Sequence, residues 1–329
     1  MNIKIIGTGS YLPEKIVTND DLSKLVKTSD EWIFTRTGIK ERRIAAGKTN
    51  TDLAVMAVKN AIADAKINKD EIDLIICATV TADTSVPSIS ANIRKELEIE
   101  NAVAFDINAA CTGFIYAITI AKNMMEAMSF KKAVVVGVEV LSQITNWNDR
   151  TTCVLFGDGA GAAILEKSNE SGSGINYTVI RGAIDKTNAL TCGIKHNIIP
   201  FENPNNDNKI DDNNNKLIMN GKEVFVFAVN EMMSLINETL EKTGFSKDDI
   251  DYFVPHQANV RIINSTASRL LINKEKFIVN LQQTGNTSSA SIPLALDYLF
   301  KSRNIKKGSK IVLVGFGGGF TSGAILFTV

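Results

Sequence analysis

The second half of this chain repeats the first. Ser246-Lys247-Asp248-Asp249-Ile250-Asp251-Tyr252-Phe253-Val254 echoes Asn68-Lys69-Asp70-Glu71-Ile72-Asp73-Leu74-Ile75-Ile76, and Lys310-Ile311-Val312-Leu313-Val314-Gly315 echoes Lys132-Ala133-Val134-Val135-Val136-Gly137. Both pairs lie 178 positions apart, and one offset kept by two separate elements is the mark of an internal duplication. Within each half, buried-type strand runs alternate with helical periodicity, which predicts two α/β halves related by a pseudo-two-fold axis. The polar stretch Ser168 to Gly174 divides them, giving an N-terminal half at 1–170 and a C-terminal half at 171–329. A chain of 329 residues is long enough for two such units.

In order, Asn2 to Gly9 predicts a strand and Thr18 to Thr28 a short polar helix. Ser29 to Ile39 mixes Trp32 with Arg36 just after a Ser-Asp helix start, which suits a binding lip better than a core element. Thr51 to Ala65 reads as an amphipathic helix, Asp73 to Ala78 as a buried strand, Ser88 to Leu97 as a helix, and Lys222 to Lys242 as a long helix. His196 to Asn220, rich in Asn and Asp, reads as a long surface loop. The run Phe156-Gly157-Asp158-Gly159-Ala160-Gly161-Ala162 resembles a phosphate loop, but no Lys-Ser/Thr follows its glycines and it enters a strand. Close backbone packing explains it better.

The chemistry collects at strand ends. After the strand-like run at Ala104 to Asn108, small residues lead to Cys111, and from Phe114 the apolar pattern turns helical. A cysteine at such a junction sits by the positive end of a helix dipole, which predicts a thiolate forming below the value near 8.5 of a free thiol. Read alone, Cys111 is equally well a small core residue. Aligning Phe105-Asp106-Ile107-Asn108 with Phe277-Ile278-Val279-Asn280 sets Cys111 opposite Thr284-Gly285-Asn286-Thr287, and the loop after Val254 carries His256. Sites of α/β sheets lie at such strand ends, so the duplication predicts that Cys111, His256 and Asn286 meet. The alternatives are a structural histidine and a turn-forming Gly-Asn.

Composition removes several classes. Lys+Arg and Asp+Glu are both 36, so no net field would hold a nucleic acid. The four cysteines are scattered without zinc-site or redox spacing, which favours no metal and a reducing, cytoplasmic setting. The apolar run Ile3 to Ile6 is too brief for a signal-peptide core, and no run reaches membrane-spanning length.

With these residues in view, the chain resembles the thiolase superfamily, most closely its β-ketoacyl-acyl carrier protein synthase III family. Gly7-Thr8-Gly9, Trp32 to Ile39, the Cys111 context, Pro255-His256-Gln257-Ala258-Asn259, Gly285-Asn286-Thr287-Ser288 and Phe316 to Thr321 carry the resemblance almost end to end. It implies a thiolase-like fold with a layered αβαβα core, and decarboxylative condensation of an acyl-CoA primer with malonyl-acyl carrier protein. Cys111, His256 and Asn286 would be catalytic, with the amides of Cys111 and Gly317 as the oxyanion hole. Elongating relatives use Cys-His-His, whereas this chain has only His196 and His256; thiolases would need a second cysteine near Gly317, and none is there.

The resemblance also places CoA against Thr28, Trp32, Arg36, Arg150, Gly221, Phe225, Ala258 and Asn259, with adenine between Trp32 and Arg150. Acyl-CoA would be a substrate, and no cofactor is implied. Gln257, Ala258, Asn259, Val260 and Arg261 would face the acyl carrier protein, with help from Arg269; as solvated helix charges, Arg261 and Arg269 would have no such role. The implied assembly is a homodimer in which residue 86 reaches the partner's acyl pocket. Phenylalanine is common there in the family, and Val86 predicts room for longer or branched primers. The rival readings are a thiolase-fold relative that primes polyketides or condenses acyl-CoAs, and a catalytically silent acyl-CoA-binding module.

Overall fold

The computed structural model describes residues 2–170, 172–193 and 215–329. The first half runs β1 (Asn2–Tyr11), β2 (Lys15–Thr18), α1 (Asn19–Ser23), α2 (Asp30–Thr37), β3 (Glu41–Ile44), α3 (Asn50–Ala65), β4 (Leu74–Ala78), α4 (Ile89–Glu96), β5 (Val103–Ile107), α5 (Gly113–Ala127), β6 (Lys132–Glu139), α6 (Arg150–Cys153) and β7 (Gly159–Ser168). The second runs β8 (Gly174–Gly182), β9 (Leu190–Thr191), β10 (Ile218–Met219), α7 (Gly221–Thr243), β11 (Tyr252–Pro255), α8 (Val260–Leu270), α9 (Leu281–Thr284), α10 (Ser291–Ser302), β12 (Lys310–Gly317) and β13 (Thr321–Thr328).

One sheet has the order β1-β7-β6-β4-β5 and the other β8-β13-β12-β11, with matching directions: β4 is parallel to β6 as β11 is to β12, β7 and β13 run antiparallel to both their neighbours, and the first sheet adds β5 parallel to β4 at its edge. Strand periodicity sorts the side chains into layers. Leu74, Ile76, Val135, Ile311 and Leu313 point inward onto α5 and α10, which fill the space between the sheets. Ile75, Val134 and Val136 point out onto α3 and α4, while Val312 and Val314 point out onto α7 and α8. The result is the αβαβα sandwich expected of a thiolase-like fold, with the α5/α10 layer common to both halves.

Three local expectations change. The polar helix expected over Thr18 to Thr28 ends at Ser23, with Thr18 and Asp21 capping it reciprocally. The lip at Ser29 to Ile39 is a regular helix, α2, capped by Ser29; its Ile33 and Thr37 are core, leaving Trp32 and Arg36 toward the outside. The second-half strand expected at Phe277 to Asn280 shrinks to a single bridge, Phe253 to Phe277. Gln257 explains this: its amide donates to the Ile278 carbonyl at 3.0 Å and accepts from the Asn280 N–H at 3.1 Å, so a side chain satisfies backbone groups that a ladder would otherwise pair. The Asn/Asp-rich stretch, His196 included, falls mostly at 194–214, outside the described residues.

Candidate active site

Cys111 follows β5 on a sharp turn into α5. The Asn108 side chain accepts the Ala110 N–H at 3.2 Å, Ala110 takes a left-handed φ of 47°, and Cys111 sits in the 3₁₀ turn Ala110–Thr112. Among the described residues its N–H has no hydrogen-bond partner, as expected for the first amides of a helix. Gly317 closes over it: a Cβ there would lie 2.8 Å from the Cys111 nitrogen and 2.9 Å from Thr321 Oγ1. Only glycine lets the β12 backbone come this close, which is what a two-amide anion hole needs.

His256 stands at the end of β11, where its N–H donates to the Val314 carbonyl at 2.8 Å. Its ring packs edge-on against Phe316, with centroids 5.1 Å apart, and its Nδ1 lies 2.6 Å from Ser291 Oγ. Asn286 follows Gly285, whose φ of 63° and close fit to the Leu155 carbonyl, 2.8 Å from its Cβ position, exclude other residues. The Asn286 Oδ1 accepts the Ser288 N–H at 2.9 Å, while its Nδ2 has no protein partner among the described residues. The fixed oxygen turns the amide's donors to the cavity.

One cavity is lined by Cys111, His256, Asn286 and Gly317 together. An outer cavity shares Leu155, Gly221, Phe225 and Asn259 with it and opens beside Trp32, Arg36, Arg150 and Arg261. A third cavity meets the first at Cys111, Phe156 and Leu190, and is walled by Val80 to Ser85. Cys111 therefore stands where a passage to the surface beside Trp32 meets a second cavity.

Burial sets the charge states. It pushes the Cys111 thiol up to about 12, against opposing pulls from the Ser288 hydroxyl and from the cysteine's own amide. Burial likewise pushes His256 down to about 3. The thiolate expected from the helix terminus is thus corrected: a helix end is worth at most about 2 kcal/mol, or some 1.5 pKa units, and here desolvation moves the thiol by more. The resting site holds a neutral thiol and a neutral imidazole.

Of the residues expected at CoA, Gly221, Phe225, Ala258 and Asn259 line the inner cavity. Trp32, Arg36 and Arg150 mark the outer mouth, but the Arg36 and Arg150 guanidiniums already lie 4.5 and 4.6 Å from the Trp32 ring centre. A ring entering between Trp32 and Arg150 must part them. Thr28 lines neither cavity; its hydroxyl is buried without a partner among the described residues. Gln257 is fully buried with its amide committed to backbone, so its expected contact with a carrier protein is corrected to a structural role. Val260 packs where a Cβ on Gly38 would stand, while Arg261 and Arg269 are exposed on α8. Val86 is 86% exposed and lines none of these cavities in the single chain. Sequence reasoning missed Ser291, which meets His256 across 35 positions of its own half, and the buried Glu139, which accepts the Thr81 hydroxyl within its half and the Ser289 hydroxyl from the other.

The family model described as 3-oxoacyl-[acyl-carrier-protein] synthase III matches residues 105–182, and the model of its C-terminal part matches 240–329. A beta-ketoacyl-[acyl-carrier-protein] synthase III of Clostridium novyi is 49% identical over 99% of this chain and 98% of its own length. The chain belongs to the β-ketoacyl-acyl carrier protein synthase III family. It is therefore a condensing acyltransferase. The crystal structure of 3-oxoacyl-[acyl-carrier-protein] synthase III from Aquifex aeolicus superposes with a TM-score of 0.91 at 44% identity, covering 99% of this chain and all of that one. A priming beta-ketosynthase of the R1128 polyketide pathway superposes at 0.90 with 34% identity, over 99% of this chain and 96% of that one.

Proposed function

We propose that this enzyme joins an acyl-CoA primer to malonyl-acyl carrier protein, opening type II fatty-acid synthesis, with Cys111, His256 and Asn286 as its catalytic residues. The carrying observation is that a nucleophile at a helix start and two side chains with free donor capacity face one cavity joined to the surface. CoA lies along the passage, its nucleotide at Trp32, Arg36 and Arg150 and its pantetheine past Gly221, Phe225, Ala258 and Asn259. Cys111 attacks the thioester, the amides of Cys111 and Gly317 hold the oxyanion, and the proton lost by Cys111 equals the one the departing CoA sulfur gains. The acyl chain rests in the chamber walled by Val80 to Ser85.

Malonyl-acyl carrier protein then enters by the vacated passage, its carrier held at Ala258, Asn259, Val260, Arg261 and Arg269. Loss of carbon dioxide leaves an enolate whose oxygen needs two donors, and the His256 Nε2–H and Asn286 amide supply them. The carbanion attacks the acyl-cysteine, and Cys111 leaves to take a proton from solvent. No cofactor takes part, and the setting is cytoplasmic. A homodimer is supported by β5, an open sheet edge carrying the exposed Val103, which a second copy would cover. Incubation with acetyl-CoA should add one acetyl mass, lost in Cys111→Ala, and malonyl-acyl carrier protein should discharge it as 3-oxobutanoyl-acyl carrier protein. Failure to label wild type, or labelling elsewhere, would overturn the assignment.

A further inference from the structure

The Ser291 hydroxyl lines none of the three cavities around the site, yet its two contacts define the state of the His256 ring. Ser291 is 1% exposed at the first turn of α10. Its oxygen takes the Gln257 N–H at 3.4 Å and lies 2.6 Å from His256 Nδ1. Among the described residues no other acceptor lies within reach of the hydroxyl hydrogen. Were Nδ1 protonated, it would spend its hydrogen on the Ser291 oxygen and leave a buried O–H with no acceptor, a costly arrangement. With the hydroxyl donating to Nδ1, every group is satisfied and the single imidazole hydrogen sits on Nε2, facing the cavity.

The internal repeat supplies an independent observation. At the 178-residue offset His256 corresponds to Ala78 and Ser291 to Gly113. A Cβ on Gly113 would stand 2.7 Å from Ala78 Cβ, so this pair occupies the same junction in the other half. There both members lack a polar side chain; here both have one. The serine and the imidazole occur together, as a functional pair would.

We infer that Ser291 is a positioning residue that holds His256 as its Nε2–H tautomer, so that the imidazole donates to, and does not accept from, whatever occupies the cavity. This rests on the donor role given to His256 above, but it can be read without turnover. The chain has two histidines, so ¹⁵N-histidine resonances of wild type are assignable with His196→Gln alone. Wild type should show His256 with Nε2 protonated and Nδ1 bare from about pH 6 to 9; a protonated Nδ1 would overturn the inference.

In Ser291→Ala the tautomer signature should shift toward Nδ1–H. Malonyl-carrier decarboxylation should fall roughly ten- to a hundred-fold, less than the loss of a donor outright, while acyl transfer from acetyl-CoA to Cys111 stays within about two-fold. An unchanged tautomer in a folded Ser291→Ala protein would sink the inference, as would an equal loss in both half-reactions. If the tautomer shifts but decarboxylation holds, Ser291 keeps its role and the donor role of His256 falls instead.

Discussion

A buried thiol pushed up to about 12 makes a measurable claim about the free enzyme. At pH 8 such a group is thiolate in about one molecule in 10⁴, whereas a free thiol near 8.5 is ionised in about a quarter. That deficit is roughly 3.5 decades. A more basic thiolate is also a better nucleophile, by about 0.4–0.5 decade per pKa unit, which returns roughly 1.5 decades. Cys111 should therefore react with iodoacetamide on the order of 100-fold more slowly than a small free thiol at pH 8. Its rate should climb tenfold per pH unit through pH 9 with no plateau. The assay is the alkylation rate against pH, followed by intact mass, with Cys111→Ala correcting for Cys192, the exposed cysteine among the free ones described. A plateau with its midpoint at or below 8.5 would refute the reasoning. It would mean that the helix start and the amides near Gly317 outweigh desolvation in this pocket.

Other consequences follow from named contacts. Burial pushes Glu139 up to about 7 against donors from Thr81, Ser289 and Val80. A carboxyl with a raised folded value contributes stability that is complete below its unfolded value near 4.5 and is lost as pH rises through about 7, a change of about 3 kcal/mol. Urea unfolding of wild type and Glu139→Gln at pH 5 and pH 8 should show the variant without that decline, and parallel pH dependences would contradict it. Trp32→Ala should raise KM for acetyl-CoA about ten-fold while kcat stays nearly constant, as expected when ground and transition states lose one stacking contact alike; a kcat defect would place Trp32 elsewhere in the cycle. Val86→Phe should cut turnover of branched or longer primers several-fold relative to acetyl-CoA, measured across a primer panel, and one steep acetyl preference shared by both proteins would end the pocket argument.

Much of the layering was legible because core strands announce their two faces. Leu74 and Ile76 alternate with Ile75 and Cys77, and the repeat fixes the partners of each. The candidate residues at strand ends were legible for the same reason. Register near the second loop was not: alignment by Phe105 and Phe277 is one residue off, since Phe253, the equivalent of Ile75, bridges Phe277 while Ile75 pairs with Ala104. Five extra residues around the short α9 then restore the 178-residue offset, and nothing in Leu281 to Thr284 advertises such an insertion. Gln257 reads as an exposed motif residue until its amide is seen replacing a strand. The charge state of Cys111 reads correctly only once the cavity walls are known, because desolvation is a property of the docked halves and the helix start is a property of the local sequence.

The repeat also shows why only one site works. Asn108 and Asn286 are equivalent, and each accepts an N–H two residues on, from Ala110 at 3.2 Å and Ser288 at 2.9 Å. Ala110 and Ser288 share left-handed φ values of 47° and 48°. The same elbow is therefore built twice, and it puts Cys111 and Ser289 at matching points, each packed against the other half's strand, β12 or β6. Opposite Cys111 stands Gly317, whose bare backbone leaves space and an amide. Opposite Ser289 stands its equivalent, Glu139, whose carboxylate accepts the Ser289 hydroxyl at 2.8 Å and fills the position that would admit a substrate oxygen. Where the first junction offers His256, the second offers Ala78. The second elbow thus has its hydroxyl committed and no imidazole, yet its rigidity is what aims Asn286 at a sulfur carried by the first. In the proposed mechanism one half supplies the nucleophile and the other the donors because a single turn geometry, used twice, has been left open on one side and locked on the other.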